Sequence, residues 1–378
     1  MSARFLLIGD LHTRSGEQLD DIVSCLNFAD VQADAFEVDA ILIAGDLLEG
    51  KSNPEERAVL GAALLNLTDR GGAAPRPVVI VKGNHDQPEE LTVFAGYPGV
   101  SVWEEPDITS GAGVDILCVP WPERAYLAAA GHTGEAGDQA GSAALAAMLR
   151  AMVATRERPE RPLVILAHLQ VLGAISSSAQ PMIGRAIEAV LGDLQDLGAA
   201  AVVLGHIHKP QQLAPGVEYI GSLTVHDFGE EAEEKRIGVL TVEDDGSASW
   251  DWIPVPCRKW VTIEARVEEH PPSGGDQPMV FEEGGPLYTD SNLRYRYACD
   301  ESEQHLFDHA AITRRFAAAH TLKIVPQVTR AERVRAAEVA AAASTEDQLK
   351  AWGAATGTEI TATHLSKLEQ LESEASHA

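Results

Sequence analysis

Short blocks in which every position is apolar recur along the first two thirds of the chain. Between them lie stretches whose apolar residues return every three or four positions. A strand covered on both faces reads as a continuous apolar run, and an amphipathic helix as a 3.6-residue period. On that basis residues 5–8, 40–44, 78–81, 114–119, 163–167 and 201–204 are predicted strands. Helices are predicted over 17–33, where Leu19, Ile22, Val23, Leu26 and Phe28 share a face, and from Pro54, which occupies the favoured first-turn position. Two more are predicted in the Ala-rich segment 140–155 and near 182–191. The pattern then changes to short strands without intervening helices, at 211–213, 217–220, 236–242 and 249–255. Strands alternating with helices, followed by a run of strands, predict a layered α/β fold with a β-rich second half.

Pro254, Pro256 and Cys257 mark a break. Beyond it, strands at 260–267 and 293–298 flank a Pro/Gly/Glu-rich loop at 270–286. A helix at 304–319 and a strand at 322–325 complete a small α+β unit. From 330 the chain is rich in Ala, Glu and Leu with few strand formers, so two or three helices are expected, one of them over 336–343. The expected domains are therefore 1–255, 256–328 and 329–378.

Composition narrows the class. Hydrophobic residues make up 45% and charged residues 23% of the chain, the balance of a globular protein with a sizeable core. No apolar run approaches the roughly 18 residues of a membrane span, and the N-terminus lacks signal-peptide features, so no membrane association and a cytoplasmic location are expected. The four cysteines form no CxxC pair and read as free buried thiols. The net charge of −28 weighs against tight unaided binding to nucleic-acid phosphates, which calls for a basic surface.

Five polar signatures stand just past five predicted strands. Asp10-Leu11-His12 follows the first, Gly45-Asp46 the second and Gly83-Asn84-His85-Asp86 the third. His168 follows the strand ending at Ala167, and Gly205-His206-Ile207-His208 the one ending at Leu204. Ligands of open α/β sheets bind beyond the carboxyl ends of strands, so these groups are expected to converge on one crevice. Carboxylates, imidazoles and one amide oxygen suit Mn²⁺, Fe or Zn²⁺. Asp10 and His12, two apart in an extended segment, are expected to point to one side, as are His206 and His208. Two-metal sites hold their ions roughly 3.5–4 Å apart, which calls for a bridging carboxylate, and Asp46 is the lone carboxylate of its motif. Asp-x-His or Gly-Asp alone occurs by chance in turns, and Gly83–Asp86 could be one; Gly205-His206-Ile207-His208 is more specific, and five signatures in order, each after a strand, are not a coincidence.

In that order the signatures resemble the calcineurin-like metallophosphoesterase superfamily. Gly205-His206-Ile207-His208-Lys209-Pro210-Gln211, Tyr219-Ile220-Gly221-Ser222, Asp227-Phe228-Gly229-Glu230 and Lys235, with Asp46-Leu47-Leu48 and Pro54, resemble its SbcD branch, the nuclease subunits of bacterial SbcC–SbcD complexes. The motifs are strong over about the first 255 residues and weak over 258–326. The resemblance implies a four-layer α-β-β-α metallophosphoesterase sandwich with a small α+β capping domain and a helical C-terminal tail. It implies two divalent metal ions, Mn²⁺ being the expected species. The first would be held by Asp10, His12, Asp46 and His208, the second by Asp46, Asn84, His168 and His206. His85 would be the general acid or a donor to the phosphate. The implied partners are DNA, an SbcC-type coiled-coil ATPase and a second copy of the chain. Leu349, Trp352, Leu365, Leu368 and Leu371 would form the face of the tail that docks on the ATPase. One position departs from the pattern: SbcD-type nucleases carry a histidine three residues after the bridging aspartate, where this chain has Glu49. Related phosphatases have an acid there, so Glu49 is expected to hydrogen-bond His85, fix its tautomer and raise its pKa.

Other residues read more plainly. His305 and His309, four apart on a predicted helix, lack a third ligand and are expected on a solvated face. His132, His226, His270, His320, His364 and His377 are expected at the surface. Trp121, Trp250, Trp252 and Trp260 could stack on bases but are expected to pack the β-rich half, and the acidic run 230–234 to be a solvated loop. Lys82, Lys209 and Lys235 are candidate phosphate contacts. Three functions compete: a DNA nuclease subunit, a phosphatase or phosphodiesterase of small molecules, and an inactive scaffold. Acidity favours the second, the 258–326 unit and the tail disfavour it, and a complete ligand set speaks against the third.

Overall fold

A computed structural model describes residues 2–16, 18–87, 89–123, 138–177, 187–266, 288–301, 304–329, 339 and 341–376. In chain order the strands are β1 (Ala3–Ile8), β2 (Ala40–Ile43), β3 (Val78–Val81), β4 (Val100–Trp103), β5 (Asp107–Gly111), β6 (Val114–Val119), β7 (Leu163–His168), β8 (Gln170–Val171) and β9 (Glu188–Ala189). There follow β10 (Ala201–Gly205), β11 (Gln211–Ala214), β12 (Val217–Tyr219), β13 (Arg236–Val242), β14 (Ala248–Pro254), β15 (Trp260–Arg266), β16 (Asn292–Asp300) and β17 (Thr321–Thr329). The helices are α1 (Leu19–Ala35), α2 (Pro54–Thr68), α3 (Thr92–Ala95), α4 (Asp138–Ala154), α5 (Leu191–Gln195), α6 (His309–Arg315), α7 (Thr345–Thr356) and α8 (Ala362–Ser376).

Two six-stranded mixed sheets carry the larger part of the chain, in the orders β14-β13-β1-β2-β3-β4 and β11-β12-β10-β7-β6-β5. The continuous apolar runs are explained by burial on both faces. Phe5, Leu7, Leu42, Val79 and Val81 from the first sheet meet Ile116, Val164, Leu166 and Val203 from the second in one inter-sheet core. The intervening residues Leu6, Ile8, Ile41, Ile43 and Ile80 face outward onto Ile22 and Leu26 of α1 and Leu60 and Leu64 of α2. On the far side, Leu117, Ile165, Val202 and Leu204 pack with Leu145 and Leu149 of α4. The result is helix, sheet, sheet, helix. α2 starts where Pro54 predicts, behind an Asn53–Glu56 capping box. β1, β2 and β3 run parallel, as do β6, β7 and β10, so their carboxyl ends share an edge in each sheet.

β4 and β5 were not expected from the sequence. They are short, carry Ser101, Asp107, Thr109 and Ser110, and β5 closes one edge of its sheet, where burial on both faces is not required. The expected helix near 182–191 falls partly on 178–186, outside the described residues; beyond that gap the chain forms β9 and α5. The 270–286 loop and most of 336–343 also lie outside them. The predicted 304–319 helix is broken into a 3-10 turn at Gln304–Leu306 and α6, because Asp308 accepts from the N–H groups of Ala310 and Ala311 and starts a new helix. His305 and His309 therefore sit on different elements, and His309 hydrogen-bonds Tyr297 Oη at 2.9 Å.

The chain divides into two compact units, Met1–Ile263 with Glu282–Tyr295 and Ile312–Ile324, and Glu264–Phe281 with Arg296–Ala311 and Val325–Ala378. The first contains both large sheets. In the second, Ser344 caps α7 and Gly357 ends it with φ 71°, while Trp352 and Leu371 are exposed. No helix among the described residues is long and apolar enough to cross a membrane. All four cysteines are buried and none forms a disulfide.

Candidate metal centre

All seven expected ligands lie in the first unit, just past or at the carboxyl ends of β1, β2, β3, β7 and β10. The loops are stitched together by their backbones. The Asp46 carbonyl accepts from the N–H of Leu11 at 3.0 Å and of His12 at 2.8 Å. Asp10 Oδ1 accepts from the His206 N–H at 2.7 Å, and Asp46 Oδ1 from the His85 N–H at 2.8 Å. Two groups of donors share Asp46: His12, Asp46 and His85, and Asp46, His168 and His206. Asn84 joins the second group, its Oδ1 lying 3.0 Å from His168 Nε2 and 2.8 Å from His206 Nδ1. His208 joins the first, its Nε2 lying 2.9 Å from His12 Nε2.

The backbone at these residues differs from the extended pairs read in the sequence. His12, Asp46 and His206 have φ of 48°, 47° and 94°, in a region that L-residues rarely adopt. His12 and His206 reach the centre by a turn in the chain, not by the alternation of a strand. At Gly83 close approach decides the residue type, because a Cβ there would collide with the Asp46 carboxylate and backbone.

Carboxylate and carbonyl partners fix the tautomers. His12 Nδ1 donates to Glu49 Oε2 at 2.5 Å, His208 Nδ1 to Glu230 Oε1 at 2.6 Å, and His168 Nδ1 to the Ala44 carbonyl at 2.7 Å. Each ring then presents Nε2 as a bare lone pair. Those of His12 and His208 face each other, and that of His168 faces Asn84 Oδ1 and Asp46 Oδ2, the latter at 3.2 Å. Asp10 Oδ2 and His206 Nε2 are buried with no hydrogen-bond partner among the described residues. Acceptors crowded on acceptors, out of water, are costly unless positive charge lies between them. Residues and site therefore fit divalent cations. Without a cation the carboxylates draw a proton onto His168 instead, so the centre calls for positive charge either way. Burial pushes His168 down, but Asp46 and Asp10 outweigh it and raise the imidazole to about 9. Burial and the neighbouring His168 lower His206 to about 3. Burial pushes Asp46 up, yet His168, His12 and the His85 N–H hold it well below the carboxylate range.

The hydrogen bond expected between Glu49 and His85 goes to His12 instead, and His85 is met by an ion-pair contact. Glu49 Oε1 lies 3.2 Å from His85 Nδ1 while Oε2 takes the His12 proton, so one carboxylate spans both imidazoles. The His12 hydrogen bond lowers Glu49 to about 2.

Three residues of the centre escape a reading of the sequence. Glu230 is not in a solvated loop: it is buried, holds His208, and pairs with the fully buried Lys235 at 3.0 Å. That pairing also removes Lys235 from the candidate phosphate contacts. His226 is not a surface residue, its ring lying 5.0 Å from both His12 and His208. Trp121 does not pack the β-rich half, as its indole lies 4.6 Å from His206. Only Glu230 had a signal, the Asp227–Glu230 motif itself. Lys82 pairs with Glu123 at 2.5 Å, and His320 lies 3.6 Å from Asp290. His132, His270 and His377 lie outside the described residues.

The calcineurin-like phosphoesterase profile matches residues 3–210. Over 261 residues the chain is 24% identical to the D subunit of nuclease SbcCD from Bacillus subtilis, covering 59% of this chain and 62% of that protein. Over 255 residues it is 30% identical to the D subunit of nuclease SbcCD from Rhodobacter capsulatus, covering 59% and 60%. The chain therefore matches about three-fifths of the length of these curated relatives. Solved structures similar to it include a dimetal phosphatase from Danio rerio, at 12% identity and TM-score 0.41 over 63% of this chain and 92% of that one. Another is GAP50, the anchor in the inner membrane complex of Plasmodium, at 10% identity and TM-score 0.44 over 67% and 84%.

Proposed function

The chain belongs to the calcineurin-like phosphoesterase family, whose profile takes in more than half of it, and from that premise we propose a DNA exonuclease and endonuclease subunit that works with an SbcC-type coiled-coil ATPase. Residues 1–255 would form the nuclease domain, 256–328 a capping domain over DNA, and 329–378 the helices that dock on the ATPase. The observation that carries the hydrolase reading is the set of buried lone pairs turned on one another around Asp46. Asp10, His12, Asp46 and His208 would hold one cation, and Asp46, Asn84, His168 and His206 the other, Mn²⁺ being the expected metal. Bound there, the pair would supply Lewis-acid polarisation of a phosphodiester and stabilise charge on its oxygens.

The chain's own groups do the rest. His85 is half-exposed, whereas His12 and His168 are buried, so its imidazole can reach a substrate. Glu49 lies against His85 Nδ1 and favours the doubly protonated ring, and an imidazolium at His85 can give its Nε2 proton to the departing oxygen. Asp46 fixes the same histidine from behind through its backbone N–H. The likeness to the two SbcCD nuclease chains supports the nuclease refinement. The net charge of −28 favours a second reading, a phosphodiesterase of small molecules.

The test is hydrolysis of linear duplex and hairpin DNA against a chromogenic aryl phosphodiester, with Mn²⁺ added after chelation. The nuclease reading expects cleavage of DNA, stimulated by the ATPase partner and absent in Asp46→Asn. Turnover of the aryl ester alone would select the second reading, and a metal-loaded chain inert on all substrates would leave only a scaffold.

A further inference from the structure

Most tryptophans of this chain serve its cores. Trp103, Trp250 and Trp252 pack on the inter-sheet core, and Trp260 on the helix-side core of the first sheet. Trp121 belongs to none of the three cores. Its neighbours are ligand imidazoles instead: the indole lies 4.6 Å from His206, tilted by 40°, and 5.9 Å from His168 at 70°. The side chain is only half-buried. Its N–H has no hydrogen-bond partner among the described residues and is not sealed from solvent. Trp103, Trp250, Trp252 and Trp260 are half-buried as well; what sets Trp121 apart is that its ring neighbours are the two imidazoles and not a core.

The backbone holds Trp121 firmly. Its N–H donates to the Lys82 carbonyl at 2.8 Å, and two residues on Glu123 takes the Lys82 ammonium at 2.5 Å. These ties fasten the segment to the loop that carries Asn84 and His85. A rigid aromatic plate fixed beside a phosphoryl site is suited to stacking. The charge of the protein says on what. At −28 net, with Glu49 and Glu123 nearby, a grip on a phosphate backbone through cations is weak. Stacking on a base needs no charge.

We infer that Trp121 is a specificity-determining residue that stacks on an unpaired nucleobase next to the scissile phosphate, on the His206 side of the centre. The inference rests on the phosphodiesterase reading and narrows it to substrates whose base is out of a duplex stack: single strands, frayed ends or extruded nucleotides. A base within intact duplex has both faces covered and cannot meet the indole.

Binding and turnover are measured separately on the full chain. Fluorescence anisotropy compares a labelled oligothymidylate with an abasic strand of equal charge, in chelator, for wild type, W121A and W121F. W121A is expected to weaken the base-bearing strand about ten- to a hundredfold, the worth of one aromatic stack. The abasic strand is unchanged, and W121F keeps most of the affinity. With Mn²⁺ restored, KM follows the same order while kcat changes little. W121L, with apolar bulk and no π face, replaces W121A if the alanine variant unfolds. A wild type that binds both strands equally, equal weakening of both, or loss of metal binding in W121A would each overturn the inference; the last would make Trp121 a prop for His206. A wild type that prefers the base-bearing strand yet cleaves no phosphodiester would sink the hydrolase reading and leave the platform standing.

Discussion

Glu230 carries three interactions at once. Oε1 accepts from His208 Nδ1 at 2.6 Å, while Oε2 accepts from the His226 N–H at 3.0 Å and lies 3.0 Å from Lys235 Nζ. Its side chain is 4% exposed and that of Lys235 0%. Breaking a buried ion pair by removing one partner costs about 3–5 kcal/mol when the other charge is stranded. Lys235 would not be stranded, since Glu233 at 2.7 Å and the His208 carbonyl at 3.0 Å remain. Glu230→Ala is therefore expected to cost about 2–3 kcal/mol, which at this size lowers Tm by roughly 4–12 °C. His208 also loses the partner that fixes its tautomer, so metal affinity should fall about 10–100-fold. The pH dependence follows from the same contacts. Burial pushes the Glu230 carboxyl up, but the His208 hydrogen bond and the Lys235 charge outweigh it, and the net shift is downward. Free glutamate titrates near pH 4.3, roughly. Below that pH the unfolded chain binds a proton that the folded chain still refuses, so the contribution is complete above it and is lost as the pH falls. Calorimetry of metal-free wild type and Glu230→Gln from about pH 2 to 7 should therefore show a Tm gap that is full above about pH 5 and narrows as the pH falls below about 4. A gap that is constant with pH, or below about 2 °C at neutrality for the alanine variant, would refute the assignment of Glu230 as a buried ionised anchor.

Three further outcomes are expected. Glu49→Gln keeps one carbonyl oxygen and no charge for the two imidazoles, so kcat should drop about 10–100-fold with a displaced pH–rate profile; an unchanged profile would show that Glu49 orients neither ring. Asp46→Asn should take bound metal from about two ions per chain to fewer than one, read by elemental analysis, whereas a full complement would contradict the sharing of Asp46 by both groups. Gly83→Ala drives a Cβ into the Asp46 carboxylate; overpacking of this kind costs about 1–3 kcal/mol in urea unfolding, and metal titration should weaken with it. Normal metal affinity in that variant would show that the loop can yield without moving Asp46.

The strands that bear the centre were legible because both of their faces are buried. Leu6 and Leu7, or Ile165 and Leu166, serve different cores, so every position is apolar and the run stands out. β5 escaped notice for the converse reason, since an edge strand with Asp107, Thr109 and Ser110 carries no such run. The 304–319 helix failed on one residue, Asp308, whose carboxylate offers the backbone a start and so ends the preceding turn. The ligands themselves could be found because each follows a strand and each is of a metal-binding type. The groups that hold them could not. Glu230 looks like any acid in an acidic run until the path from β12 to β13 sets it beside His208. His226 and Trp121 follow no period at all, and their distances to the imidazoles are set by loop paths.

Those loop paths explain why the backbone is unusual where the chemistry gathers. His12, Asp46 and His206 each sit at positive φ, at a cost of order 1–3 kcal/mol per residue. Each is held there by a different loop. The Asp46 carbonyl ties down the N–H of His12, the Asp10 carboxylate ties down that of His206, and Asp46 in turn holds the N–H of His85. No loop can relax alone, because the bond that constrains it belongs to a neighbour. The loops past β1, β2, β3 and β10 therefore behave as one unit. Loosening any of them releases strain in the others, and the lone pairs that face one another across the centre move apart together. Cation binding and local order are then the same event, since the charge that satisfies the facing nitrogens and oxygens also compensates the strain that brings them together.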